Sequence, residues 1–249
     1  MVGKWLLRGM LSGVVAGLLT FCFARVAGEP QVDQAISFEQ KMDAVEGHAD
    51  EPELVSRHTQ AGLGLLTGVV VYGTAIGGLF ALVFSYAYGR IGKIGAQGLS
   101  VVLALIALIV VVIAPGLKYP ANPPSVGDPD TIGMRTALYF LMIVTSLLAM
   151  VFSARVRRSL IARLGAWNAT LTGIGLYVLI IAAIEIALPT INEVPAAFPA
   201  VVLWKFRIAA LGMQIVMWTT LGLLFGALAQ RSLKGRDSTH AQLRARPAA

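Results

Sequence analysis

The sequence predicts an all-α integral membrane protein, a bundle of six transmembrane helices with a short acidic helix in its first outer loop. Of the 249 residues, 57% are hydrophobic and 13% are charged, whereas soluble domains carry about 25% charged residues. The mean hydropathy is +0.75. The apolar residues form several uninterrupted runs, each close to the roughly 20 residues that cross a bilayer as a helix. The excess apolar surface is therefore expected to face lipid.

The apolar runs define six helices and divide the chain into a membrane domain and a tail. The predicted helices cover residues 5–27, 61–88, 96–117, 134–154, 168–191 and 206–230. Arg25 stands where a signal-peptide cleavage site requires a small residue, so we interpret the first run as a retained helix. Residues 1–231 form the predicted membrane domain. Residues 232–249 are polar and basic and are expected to form a disordered cytoplasmic tail.

The distribution of basic residues predicts the orientation. The N-terminal region, the loops near residues 90 and 160, and the C-terminal tail together hold 13 of the 20 lysines and arginines. Short basic segments stay in the cytoplasm, so both termini are predicted to be cytoplasmic. Eleven of the 13 acids fall on the opposite face. The net charge of +7 is spread between the spans. This spread indicates contact with anionic lipid headgroups and no nucleic-acid partner.

The first outer loop, residues 28–60, is the candidate metal-binding segment. Ser37 and Gln40 resemble a capping box, so residues 38–46 are predicted to form the short acidic helix. Carboxylate and imidazole side chains suit divalent first-row metals. The candidate ligands are Glu39, Asp43, Glu46, His48, Asp50 and His58. A solvated acidic segment explains the same residues and stays an open alternative, because no fixed histidine spacing is present.

One acid, Glu185, lies within a predicted transmembrane helix. A carboxylate in that position is costly, so it is usually paired or lines a pathway. Each of the two proline-bearing outer loops is followed by an arginine at the start of the next helix, Arg135 after the first and Arg207 after the second. Either guanidinium could reach the outer membrane boundary. We predict that Glu185 pairs with Arg207 first, and we treat all three residues as intramembrane or pathway candidates.

The sequence offers no residues for an enzyme. Residues 89–95 resemble a phosphate-binding loop, but Ile94 stands where a hydroxyl would bind magnesium. No Gly-x-Ser-x-Gly pattern occurs, and no histidine lies in a predicted span. We therefore expect neither catalysis nor a tightly bound cofactor.

Several short motifs carry a resemblance to a known family. They lie in one longer string of distinctive composition and around Glu29, Phe38, Arg57, Asp130, Arg135, Asn192, Phe198 and Trp204. The residues of that string that define the motif are Lys118, Tyr119, Pro120, Asn122, Pro123 and Pro124. Over residues 1–231 the chain resembles the CbtA family of proposed cobalt transporter subunits.

The resemblance implies uptake of Co²⁺, linked to cobalamin synthesis, across the inner membrane of a bacterium. It also implies a partner, a small membrane subunit of the CbtB type. Six helices make a small bundle, so a homo-oligomer is a further expectation. The alternative function is a non-transporting membrane scaffold or assembly protein whose acidic outer loop docks a partner.

The predicted orientation can be tested by cysteine labelling in intact cells. After replacement of Cys22 by serine, single cysteines at positions 50, 127 and 196 should react with a membrane-impermeant thiol reagent. Cysteines at positions 92, 160 and 240 should stay unlabelled, because basic segments are held in the cytoplasm. Labelling of the second set without the first would reverse the orientation.

Overall fold

The computed structural model of the protein describes residues 2–46, 55–92 and 94–244, and every regular element in these ranges is a helix. The helices are α1 (Val2–Phe23), α2 (Glu29–Glu46), α3 (Arg57–Thr59), α4 (Leu65–Ala87), α5 (Ala96–Ala107), α6 (Ala114–Lys118), α7 (Pro129–Ala187) and α8 (Ala200–Arg244). Short π-helical turns join α1 to α2, α3 to α4, and α5 to α6. The prediction of an all-α protein is confirmed for the part of the chain that is described.

Within these ranges, five helical stretches are long and apolar enough to cross a membrane. They are Val2–Val45, Arg57–Ala87, Ala96–Lys118, Pro129–Ala187 and Ala200–Lys234. The sequence predicted six. The difference arises at α7, which has 59 residues and covers both the fourth and the fifth predicted helix.

Helix α7 reverses direction at Gly165. This residue has φ 75° and ψ 165°, which is not helical and which glycine adopts most readily. The hydroxyl groups of Ser146 and Tyr177 lie 2.9 Å apart, although a straight helix would separate these residues by about 46 Å. Helix α7 is therefore a hairpin, with a first arm at residues 129–164 and a second arm at residues 166–187.

Prolines account for two of the π-helical turns. The turn Ala24–Gly28 precedes Pro30, and the turn Leu108–Ile113 precedes Pro115. A proline has no N–H for the carbonyl four residues earlier and its ring presses on that carbonyl, so the helix widens locally. The chain passes through each proline without ending the helix.

Three helix ends lie several residues from their predicted positions, one because of a capping side chain and two because of a proline. Helix α7 begins at Pro129, not at residue 134, because the side chain of Asp128 accepts a hydrogen bond from the N–H of Asp130 at 2.9 Å. The second arm ends before Pro189, which disfavours a helical conformation at the residue before it. Helix α8 begins at Ala200, directly after Pro199, a residue suited to helix starts.

Two other predicted segments differ from the structure. The acidic helix predicted at residues 38–46 is the end of α2, which starts at Glu29 and continues α1 without a break. The tail predicted to be disordered from residue 232 is helical as far as Arg244. Residues 231–244 contain no proline and are mostly helix formers, so nothing in them ends the helix. Residues 245–249 lie outside the described part.

The chain divides into two compact units. The first unit consists of Met1–Pro30, Asp50–Ile106 and Ala209–Ala249, and the second consists of Gln31–Ala49 and Ala107–Ile208. In the first unit, α1 and α4 touch backbone to backbone. A Cβ atom on Gly13 would overlap the carbonyl oxygen of Gly73, and one on Gly9 would overlap that of Gly77. Glycine at these positions allows the close approach that holds helices together in lipid.

Aromatic rings of α1, α4 and α8 pack against one another in the first unit. The ring of Phe84 makes edge contacts with Trp5 at 5.4 Å and with Phe225 at 5.0 Å between centroids. Helix α5 joins α8 through the buried hydroxyl of Ser100, which donates to the carbonyl of Gly222 at 2.7 Å. A hydrogen bond of this kind links helices where water is absent.

The backbone contact between α1 and α4 yields a stability prediction. Gly13→Ala should lower the melting temperature of the purified protein in detergent, because the added methyl group meets the backbone of α4. Gly68→Ala is the matched control, since a Cβ atom there meets nothing within 4 Å. Alanine in a helix interior is favoured over glycine by about 1 kcal/mol, so the control should melt at the same temperature or higher. Equal melting temperatures for the two variants would contradict the close contact.

Candidate functional site

In the second unit, the last residue of α6 and the residue after it are fixed to the segment that follows α7. Lys118 Nζ donates to Thr190 Oγ1 at 3.1 Å, and Tyr119 Oη donates to the carbonyl oxygen of Pro189 at 2.8 Å. Tyr119 is buried, and this burial raises the pKa of its hydroxyl above the usual value. The hydroxyl therefore keeps the proton that it donates.

Two arginines bind the next residues of the same loop. Arg135 Nη2 donates to the carbonyl oxygen of Pro120. Arg207 donates from Nε to the carbonyl oxygen of Ala121 at 3.2 Å and from Nη2 to Asn122 Oδ1 at 3.0 Å. The prolines of this loop lack an N–H and fix the backbone, so the loop forms no regular structure and its carbonyl oxygens remain available.

Glu193 supplies a negative charge between these groups. Its side chain is only 2% exposed, and its Oε2 lies 3.4 Å from Arg135 Nη1. The carboxylate also accepts hydrogen bonds from Thr131 Oγ1 at 2.7 Å and from Asn122 Nδ2 at 3.4 Å. A buried carboxylate of this kind needs both a counter-charge and further hydrogen bonds. We call Asn122, Arg135, Glu193 and Arg207 the outer clamp, after the predicted outer loops on which Asn122 and Glu193 lie.

An apolar cluster in the same unit attaches α2 to these loops. Ala35, Val126 and Phe198 are buried together. The ring of Phe38 packs edge-on against Phe198, with the centroids 5.1 Å apart. Ser125 Oγ donates to the carbonyl oxygen of Ala35 at 2.8 Å. Residues from three of the sequence motifs, around positions 38, 122 and 198, are thus brought into one region of the second unit.

Polar groups also line the inner face of the α7 hairpin, which we call the hairpin seam. From the end near Arg135 toward the turn at Gly165, it carries Glu185, the Ser146–Tyr177 pair, Ser153, and a bond from Arg157 Nε to Thr170 Oγ1 of 2.8 Å. Ser146, Ser153 and Tyr177 are buried. Glu185 Oε1 and Ser153 Oγ are also buried, and neither has a hydrogen-bond partner among the described residues.

The predicted pair of Glu185 with Arg207 is wrong. The guanidinium of Arg207 is bound to Ala121 and Asn122, and the acid near the arginines is Glu193. Side chains on a helix lean toward its N-terminus. The second arm of α7 starts at the hairpin turn, so Glu185 leans into the hairpin, whereas Arg135 and Arg207 lean toward the loops that precede their helices. Sequence reasoning missed Glu193 because a loop residue has no periodicity to give its position.

The predicted metal ligands of the outer loop are only partly described. Glu39 and His58 are exposed, and Asp43 is half-buried. His48 and Asp50 lie outside the described residues, and so does the side chain of Glu46. Over residues 2–46, 55–92 and 94–244, no three histidine, cysteine or acidic side chains group closely enough to hold a metal ion. The outer-loop site therefore stays a prediction.

Two other motif residues hold the first unit together at the π-helical turns. Arg57 pairs with Glu29 through Nη2. Arg25 Nη1 donates to the carbonyl oxygen of Ala61 at 3.1 Å. In the turn Gln60–Gly64, the N–H of Leu65 bonds to the carbonyls of Gln60 and Gly62, which leaves the carbonyl of Ala61 for the arginine.

A comparison with known families gives one match over most of the chain. The family model CbtA, described as "Probable cobalt transporter subunit (CbtA)", matches residues 2–230. No curated protein and no solved structure matches the chain.

The outer clamp predicts a stability loss that a second substitution reverses. Glu193→Gln should destabilise the purified protein by about 3 kcal/mol, because it leaves the partly buried Arg135 without its counter-charge. Adding Arg135→Gln should recover part of the loss. The melting temperature in detergent measures both the loss and the recovery. Asp130→Asn is the control, because Asp130 is an exposed acid near the start of α7. The pairing would be contradicted if the melting temperature of the double variant fell by more than the two single decreases added together.

Proposed function

The chain belongs to the CbtA family of probable cobalt transporter subunits, and from this membership we propose that it is the membrane subunit of a divalent-metal uptake system with Co²⁺ as its substrate. The observation that carries the proposal is the family match over residues 2–230. The helices long and apolar enough to span a bilayer agree with it. A transport role also agrees with the sequence analysis, which found no catalytic motif.

We propose that the chain crosses the bacterial inner membrane six times, with both termini in the cytoplasm. The two arms of α7 supply two of the six spans, since the chain reverses at Gly165. The basic residues support the orientation: thirteen of the 20 lie on the face that holds the termini. In this arrangement the outer clamp lies at the outer surface and the Gly165 turn at the inner surface.

The acidic outer face then favours cation capture. Eleven of the 13 acids lie on it, and a concentration of one charge raises the local concentration of the opposite ion. We propose that Glu39, Asp43, Glu46, His48, Asp50 and His58 bind the incoming metal transiently. Glu185 is the pathway residue deeper in the membrane. Arg135 and Arg207 were expected to line the ion pathway. We propose that they instead fix the outer loops around the entrance to that pathway.

The word "subunit" in the family description implies a larger complex. We propose a small membrane subunit of the CbtB type as the partner, and self-association of the chain as a second source of contacts. No tightly bound cofactor is included in this proposal, because the metal ion is the cargo. The alternative, a membrane scaffold that docks a partner through its acidic loop, predicts assembly without metal flux.

Accumulation of radiolabelled Co²⁺ separates these functions. Cells lacking their own cobalt uptake should accumulate the ion when they express the chain together with the CbtB-type subunit. Replacing His48 and His58 together by alanine should reduce uptake at low cobalt concentration, with a smaller effect at saturation, because the outer loop serves capture. A chain that reaches the membrane and assembles with its partner but gives no accumulation would support the scaffold and overturn the transport proposal.

A further inference from the structure

The hairpin seam contains a half-buried acid, Glu185, that has one buried carboxylate oxygen. Glu185 Oε1 has no hydrogen-bond partner among the described residues, and the nearby arginines are engaged by the outer clamp. In a membrane span an ionisable side chain is costly unless it is paired or takes part in function. No arginine of the described ranges forms a salt bridge with Glu185, so an ion pair with arginine does not explain its place in a span.

The geometry of the hairpin brings other oxygen atoms toward this carboxylate. The bonds Ser146–Tyr177 and Arg157–Thr170 fix the alignment of the two antiparallel arms. Glu185 is two turns from Tyr177 on the second arm, and its side chain leans inward, toward that tyrosine. The Arg157–Thr170 bond aligns the two arms so that Glu185 lies level with about residue 142 of the first arm, one helical turn from Ser146. One carboxylate and two hydroxyl groups therefore occupy neighbouring levels of one buried face.

Two serine hydroxyl groups of the seam differ from hydroxyl groups elsewhere in the same helix. Thr145 Oγ1 donates to the carbonyl of Leu141, and Thr172 Oγ1 to that of Asn168, as hydroxyl groups in helices commonly do. Ser146 instead bonds across the hairpin to Tyr177, and Ser153 Oγ bonds to none of the described groups. The oxygens of Ser146 and Ser153 are thus not bonded to the helix backbone.

We propose that the hairpin seam contains an intramembrane binding site for a divalent cation, in which Glu185 is the anionic ligand and the Ser146–Tyr177 pair supplies neutral oxygens. This inference rests on the proposed function, since it identifies where the transported ion stops within the membrane. A single carboxylate with neutral oxygens binds a divalent ion weakly. Weak binding is what passage requires, because an ion must also leave each site. Ser153 is the next oxygen inward along the same face.

The charged groups that face the site are compatible with a cation. Arg135, at the outer end of the first arm, is compensated by Glu193 at 3.4 Å. Arg157 lies at the inner end and is bound to Thr170, about three turns beyond Ser146 along the helix. Between these two arginines, Glu185 is the only charged side chain that the described seam carries.

Equilibrium dialysis of the purified full-length chain against radiolabelled Co²⁺ tests the site. Glu185→Gln should bind about one ion fewer per chain at saturation, while melting at the same temperature, because the lost oxygen has no protein partner. The combined variant Tyr177→Phe with Ser146→Ala should keep the site but need about tenfold more cobalt, a change of about 1.4 kcal/mol. Thr145→Val is the matched control, since it removes a neighbouring hydroxyl that the helix backbone already satisfies.

A lipid-soluble carbodiimide gives a second readout at Glu185 itself. The reagent reacts with carboxyl groups within the bilayer, and mass spectrometry locates the adduct. Cobalt should protect Glu185 from it, and the protecting concentration should rise in the Tyr177 and Ser146 variant. Unchanged cobalt stoichiometry in Glu185→Gln would overturn the site, even if cells expressing the chain accumulate cobalt. Loss of one bound ion in a chain that supports no uptake would keep the site and reject the proposed function.

Discussion

The absence of water in the bilayer interior is the constraint on which this structure depends. Every polar group there must find a partner within the protein. The chain meets the demand in several ways: Ser100 bonds across to Gly222, Thr145 bonds back to its own helix, and Arg25 takes the carbonyl that a π-helical turn releases at Ala61. Several buried polar atoms have no partner among the described residues, and the oxygen of Glu185 is the one among them that belongs to an acid. The proposed cation site is based on that oxygen.

The same constraint explains the outer clamp. A loop with three prolines in five residues, Pro120 to Pro124, cannot satisfy its own carbonyl groups. Arginines have several donors in a fixed plane and stay charged, so Arg135 and Arg207 suit this task. Glu193 compensates part of their charge and is enclosed by hydrogen bonds. The motif that is most distinctive in the sequence thus has a structural role: it holds two outer loops and two helix starts together.

Sequence reasoning succeeded where periodicity and composition carry the information. The helices, their approximate positions and the membrane location followed from apolar runs and basic loops. The four-residue spacing of Gly9, Gly13 and Gly17 puts these glycines on one face of α1, where another helix can approach closely, but it does not identify α4 as that helix. Partners across long loops could not be predicted. Glu193 and Arg135 are far apart in the chain, and nothing local links them. The error at Glu185 came from ignoring the direction in which side chains lean along a helix, which separates that residue from both arginines. The acidic loop stays a prediction, because His48 and Asp50 lie outside the described residues.

Cobalt flux into liposomes tests the central claim most directly, because no other transport system is present. The purified chain would be reconstituted with its CbtB-type partner around a trapped fluorophore that Co²⁺ quenches, and a membrane potential, negative inside, would be imposed. Quenching is expected to exceed that of empty liposomes and to be lost when Glu185 is replaced by glutamine. Quenching at the rate of empty liposomes, in a preparation whose incorporation and assembly are verified, would contradict the claim that this chain carries a divalent metal ion across the membrane.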